Sequence, residues 1–382
     1  MVSSVSSASS LSEVQIAQLS KTYIQGLTAT DIGGLETTQI QAFSVTGIGE
    51  LSGTQLSALS TRQMQALTET QISAISSGQM AFSATQLSVL IDAQVDAFGV
   101  EEIAVLSTQQ MKGFTPTELG QLTTSQFSVL SPSQLGALST TQITGLTDTE
   151  LGILTTTQLS GLSSTLIAGL TPTQTQSLSP ELFAAMSVTQ VAGLSSVDLA
   201  TLATSQFDAL SPTQISALTI TQVRGISLTG MASLSSSQIA ALSTDQISAL
   251  SIFAARGFSP TQLSGLTASQ LGALAVSQMA ALDMPSLAAL SVTQIAGMAS
   301  TQMAALSATQ VASLTTTQVT GLTTTQFSNL TTTELAALSN DQIAVLSSDQ
   351  LNALSTTKIQ GLTATEVDAL TSSQLGTLSA TQ

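Results

Sequence analysis

Glu101 and Glu102 stand side by side, and two adjacent carboxyls are the first groups in this chain that could pass a proton to and from a substrate. Such work needs one carboxyl held neutral and its partner held charged by different surroundings. Both of these fall in the first turn of an expected helix, so the pair reads as charge placed at a helix N-terminus. Serine and threonine hydroxyls are the other candidates, and each would need a neighbouring base to act as a nucleophile. The 382-residue chain has no histidine and no cysteine. The usual general base, the commonest metal ligand, the thiolate and the disulfide are missing together. A Ser-His-Asp or Cys-His arrangement cannot be assembled. Acidic residues come mostly one per eight, without the convergence of a calcium loop. Gly33 and Gly34 follow Thr-Asp-Ile with no strand and no lysine to make a phosphate loop. No catalytic residue, cofactor or metal ligand is expected, and the hydroxyls call for a structural reading.

That reading is supplied by the stretch LSPTQISAL, residues 210–218. Ser211 can accept a hydrogen bond from a free backbone N–H at the start of a helix. Pro212 follows at the first helical position, where its missing N–H costs nothing. Gln214 can reach back to the N–H of Ser211 and complete a capping box, with Leu210 and Ile215 placed as a hydrophobic staple. Ser243 and Gln246 repeat the arrangement.

The same eight letters recur from Leu11 onward, giving 47 units numbered here from the leucine as position one. One unit, residues 75–81, is a residue short. Serine or threonine fills position two in 40 units, and Gln, Glu or Asp fills position five in 39, so the capping box is the rule of the chain. Six of the seven prolines lie at position three, the helical site that tolerates proline. Of 22 acidic residues, 16 lie at positions three to five, and Lys112, Arg224 and Arg256 lie at position seven. That polarity suits a helix dipole.

One continuous helix does not fit, because eight residues overshoot two turns by roughly 80° and the leucines would wind around it. Position eight is mostly Ala or Gly, as in Ala217, Gly225 and Gly265, and glycine there suits a helix end that turns away. The expected fold is an all-α solenoid of one- to two-turn helices, drawn out as a long rod. The alternative is a β-solenoid, since period two divides eight and threonine is plentiful; against it, positions one and six would then point to opposite faces. Helices this short do not survive alone, so each unit must bury its apolar residues against neighbouring coils. Residues 1–10 read as a flexible Ser-rich tail and residues 11–382 as a single continuous solenoid.

Some units break the rule, and three of them stand out. LSIFAARG puts Ala254 where glutamine belongs and adds Phe253 and Arg256; LDMPSLAA carries Pro285 at position four; LTPTQTQS has Thr175 at the staple position. Nine of the ten phenylalanines occupy position one or six, as core residues would, and Phe253 is the exception.

A formal net charge of −16 from only six scattered basic residues argues against nucleic acid. No run of about 20 apolar residues is present to span a membrane. The first residues lack the basic start and apolar run of a cleaved secretory leader. The repeat begins at Leu11 and is cut inside the unit of Leu378, after Gln382. Ordinary solenoids close with polar caps, so either these three residues are the contacts through which copies join end to end into an open filament, or the sequence is part of a longer chain.

The run LTTTQVTGLTTTQFSNLTTTELAAL, residues 314–338, resembles the octapeptide arrays of very large repetitive bacterial proteins labelled adhesin-like or haem-utilisation proteins. The resemblance implies a bacterial, surface or extracellular structural role. It brings no catalytic or ligand residue, and without histidine a haem would lack its usual axial ligand. The composition is also similar to that of exported filament subunits such as flagellins. The expected function is a non-enzymatic subunit of a self-assembling filament or surface fibre, its partner being itself. Export without a cleaved N-terminal signal is expected, with a cytoplasmic filament as the alternative. An adhesin stalk presenting another domain, and ice or mineral binding through TTTQ threonines, are the other functional alternatives.

Overall fold

A helix that begins with its own cap and ends after one turn leaves the chain two extended residues in which to change direction. This happens 45 times: the computed structural model describes residues 8–382, which contain 45 short α-helices, two 3-10 turns and no strand. The corner before the helix Pro212–Ser216 is typical, with Leu210 at φ −69°, ψ 130° and Ser211 at φ −69°, ψ 157°. Both are ordinary extended backbone. The fold is the all-α solenoid and not the β-solenoid.

Helices three octads apart pack on one another. In the unit Met1–Gly193, Glu13–Ala17 lies against Thr37–Ala42, which lies against Thr61–Ala66. In the unit Leu194–Gln382, Thr204–Ala209 lies against Leu228–Ser233, which lies against Ile252–Ala255. Within each unit one coil is therefore three octads. Position six is the most deeply buried, as at Ile215, Val223 and Ile247, and position one follows closely, as at Leu218 and Leu242. The leucine and its staple partner form one continuous core layer inside each unit, which supplies what an isolated one-turn helix lacks.

The position-eight glycines have a different reason from the one their place in the repeat suggests. Among the described residues no glycine has a positive φ, so none turns the chain through the left-handed region. The two extended corner residues already make the bend. What glycine provides is closeness: a Cβ on Gly145 would run into the main-chain oxygen of Pro116, and one on Gly161 into that of Pro132. In each case the obstructing oxygen belongs to position three of the coil before.

The seven-residue unit is absorbed locally. Ser77–Gln79 form a 3-10 turn in place of an α-helix. The shortened path passes over Gly53, whose imagined Cβ would lie 3.0 Å from that of Ala81. Ala8–Ser10, assigned to the tail from sequence, also form a 3-10 turn, with Ala8 buried. The rest of the expected tail lies outside the described residues.

Candidate functional site

Buried polar groups are where a bland repeat can do something specific, and among the described residues all but Thr175 lie at position five. Ser243 is the N-cap of Thr244–Ala249; its Oγ accepts the N–H of Gln246 at 3.2 Å, and its own N–H donates to Gln246 Oε1 at 2.8 Å. Ser211 and Gln214 do the same at 3.2 Å and 2.6 Å. The glutamine amide has a second half that a local capping box leaves idle. Gln246 Nε2 donates to Leu218 O at 2.7 Å and Ser216 O at 3.1 Å, 28 and 30 residues back. In the other unit, Gln55 Nε2 donates to Leu27 O at 2.7 Å and Ile24 O at 2.8 Å.

Each such glutamine is buried, yet its oxygen and nitrogen are both paired, as a group removed from water must be. Of the carbonyls it meets, Leu27 O and Leu218 O take no main-chain amide, whereas Ile24 O already accepts the N–H of Leu27 at 3.2 Å. One amide thus caps the start of its own helix and the end of a helix in the coil before. Down each unit these amides form a ladder, the main polar bond between coils.

Other residues at position five test what the ladder needs. Ser286, in the unit that carries Pro285, donates its Oγ to Phe258 O at 3.1 Å, 28 residues back, while Asp283 caps the helix Met284–Ala288. Lys358 Nζ donates to Ser328 O. Ala254 and Leu166 fill the place with buried apolar side chains. Glutamate keeps only half the function: the N–H of Thr115 donates to Glu118 Oε2 and that of Thr147 to Glu150 Oε2, both at 2.6 Å. A carboxylate has no proton for the preceding coil, and Oε1 of Glu150 and of Glu366 is buried without a partner.

Burial pushes the Glu150 carboxyl above its ordinary value, against the opposing bonds from the Thr147 N–H and hydroxyl. Glu118 is raised by burial too, with Asp92 adding repulsion. Both Asp92 and Glu118 line an open groove of about 620 Å³ that also includes Ile91 and Thr115. On the surface, by contrast, the Thr28 hydroxyl and N–H lower Asp31.

Glu101 and Glu102 sit in the first turn of Val100–Ala104. Among the described residues, no three of His, Cys, Asp and Glu come together as metal ligands would. Leu11 and Leu378 are partly buried, and Gln382 Nε2 donates to Leu354 O at 2.8 Å and Leu351 O at 3.1 Å. Thr175 is buried at position six and its hydroxyl donates to Thr171 O at 3.1 Å.

Phe253 is 68% exposed. It belongs to a row: Leu228, Ile252 and Val276 all stand at position three, one coil apart, on stacked helices Leu228–Ser233, Ile252–Ala255 and Val276–Met279. All are exposed, with Arg256 exposed beside them. The sequence singled out Phe253 and Arg256 but not the row, which becomes visible only once the coil is known to hold three octads.

A family model described as the ALTTAQ repeat matches residues 32–69 and 322–356. Its six letters fall on positions eight to five of the octad, as in Gly321-Leu322-Thr323-Thr324-Thr325-Gln326, so they include both the cap hydroxyl and the ladder glutamine. No curated protein matches the chain. The chain is a tandem-repeat protein of helical solenoid architecture. Among the described residues no helix is long and apolar enough to cross a membrane.

Proposed function

We propose that this chain is a non-enzymatic structural protein, a subunit that assembles with copies of itself into a filament or surface fibre outside the cell. The glutamine ladder is the observation that carries this reading. Each coil meets the one before through the same donors and acceptors, so a coil is a template for another of its kind. Two copies meeting through such rows make a heterologous contact, and heterologous contacts that do not close repeat into open filaments. The exposed row of Leu228, Ile252, Phe253 and Val276 adds a place for lateral contact between such filaments.

Light scattering across a concentration series, with electron microscopy of the same samples, tests the proposal. Mass that grows with concentration, together with fibres of uniform width, is the expected result. A chain that stays monomeric throughout overturns it and leaves the stalk that presents another domain.

A further inference from the structure

Glu150 replaces the ladder glutamine between two units that keep theirs. Gln142 Nε2 donates to Phe114 O at 2.7 Å and Met111 O at 2.9 Å, and Gln158 Nε2 to Phe127 O and Leu130 O, each at 3.1 Å. In the same register the oxygens facing Glu150 are those of Leu119 and Leu122. Leu119 O already accepts the N–H of Leu122 at 3.2 Å, whereas Leu122 O takes no main-chain amide. The Glu150 side chain is 2% exposed. Its Oε2 accepts the Thr147 N–H at 2.6 Å and the Thr147 hydroxyl at 2.8 Å, and Oε1 has no partner.

An ionised carboxylate here sets acceptor against acceptor at a buried position, which is strongly unfavourable. A neutral carboxylic acid has the shape of the amide it replaces, with a hydroxyl where glutamine has its NH₂. We propose that Glu150 is carried in the folded chain as the neutral acid, its hydroxyl donating to the main-chain oxygen of the preceding coil, chiefly that of Leu122. One bond of the ladder is then made by a proton, and it is lost when the proton leaves.

The surroundings offer no rival charge. Asp148–Gly152 packs against Thr124–Ser128 and Pro172–Ser177, neither of which carries a titratable group. On the helix itself Asp148 is exposed, and on Pro116–Gly120, which Glu150 faces, the only acid is Glu118, already engaged with Thr115. Burial raises the Glu150 carboxyl above 4.5. The folded chain therefore holds a proton that the unfolded chain gives up. Its contribution is full below the ordinary carboxyl value and is lost as pH rises through the higher folded value.

Hydrogen exchange of the full chain, measured at pH 3.5 and pH 7 and corrected for intrinsic rates, tests this on the wild type and Glu150→Gln. The amides around residues 146–152 should be equally protected in both chains at pH 3.5. At pH 7 the wild type should be on the order of tenfold less protected than E150Q, the scale of one hydrogen bond lost between coils. Equal protection at both pH values overturns the proposal, as does a difference that does not depend on pH. So does a wild type that calcium at pH 7 restores to the E150Q level, because a cation and not a proton would then fill the gap.

Discussion

Replacing Gln326 by methionine isolates the ladder from the packing, because the two side chains are close in volume and both unbranched. Gln326 is 2% exposed. Its Oε1 accepts the Thr323 N–H at 2.9 Å, and its Nε2 donates to Met298 O at 2.7 Å and Ile295 O at 2.8 Å. Ile295 O keeps the Met298 N–H at 3.1 Å, but Met298 O accepts from no other main-chain amide. Thr323 lies at an exposed corner, where water can replace the lost acceptor. The cost is then one orphaned buried carbonyl, about 1–3 kcal/mol, and one cap bond exchanged for water, about 1 kcal/mol. Q326M should destabilise its coil by about 2–4 kcal/mol. Gln326→Glu at neutral pH should be worse, because it adds a buried charge aimed at the same oxygens. A repeat array need not unfold in one step, so the assay is hydrogen exchange of amides 323–330 alongside denaturant melts of the full chain. A Q326M chain within about 0.5 kcal/mol of wild type, the range of ordinary surface changes, would refute the ladder as the bond between coils.

Leu166 stands at position five and leaves Leu138 O without an amide donor; Leu166→Gln should restore the rung and raise stability by about 1 kcal/mol, seen as a higher denaturation midpoint. Gly145→Ala should cost about 1–3 kcal/mol, since the added methyl meets the main-chain oxygen of Pro116 and the coils must part; an unchanged midpoint would show that the close approach is slack. Phe253→Ser should leave the circular dichroism spectrum unchanged and weaken self-association on the order of tenfold by sedimentation, from the apolar area it withdraws. Equal association of the two chains would remove the exposed row from the interface.

Helix starts, helix lengths and core positions were legible because all are settled within eight residues. Ser211, Pro212, Gln214 and Ile215 specify their turn without reference to the rest of the chain. The number of octads per coil was not legible, because it depends on pairings about 28 and 31 residues apart that leave no mark inside one unit. One signal of those pairings was present. Position five holds glutamine 32 times and glutamate five times, although a helix N-terminus favours the anion. An amide preferred where a carboxylate would serve the cap better implies an acceptor waiting for its N–H. The position-eight glycines were misread for the converse reason: their constraint comes from the carbonyl of another coil, not from their own φ. Phe253 was legible as an outlier, but its neighbours Leu228 and Val276 were not, since only stacking makes them adjacent.

The short unit shows which feature the fold holds fixed. Losing one residue after Met80 turns an α-helix into the 3-10 turn Ser77–Gln79, and later residues then stand one place closer to the coil before. The ladder does not slip. Gln79 still reaches Leu51 O and Ile48 O, 28 and 31 residues back, whereas Gln86 reaches Leu59 O and Leu56 O, 27 and 30 back. The partners stay at positions one and six while the spacing changes, and Gln110, which spans the gap, takes Phe82 O and Met80 O. A fold held by residue count would have sent every later leucine off the core layer, yet Leu87, Leu90 and Val95 are buried like those before them. Local helix length therefore gives way before the pairing of amide with carbonyl does. The energetics agree, since reshaping one turn costs less than leaving a buried carbonyl unpaired at every coil that follows.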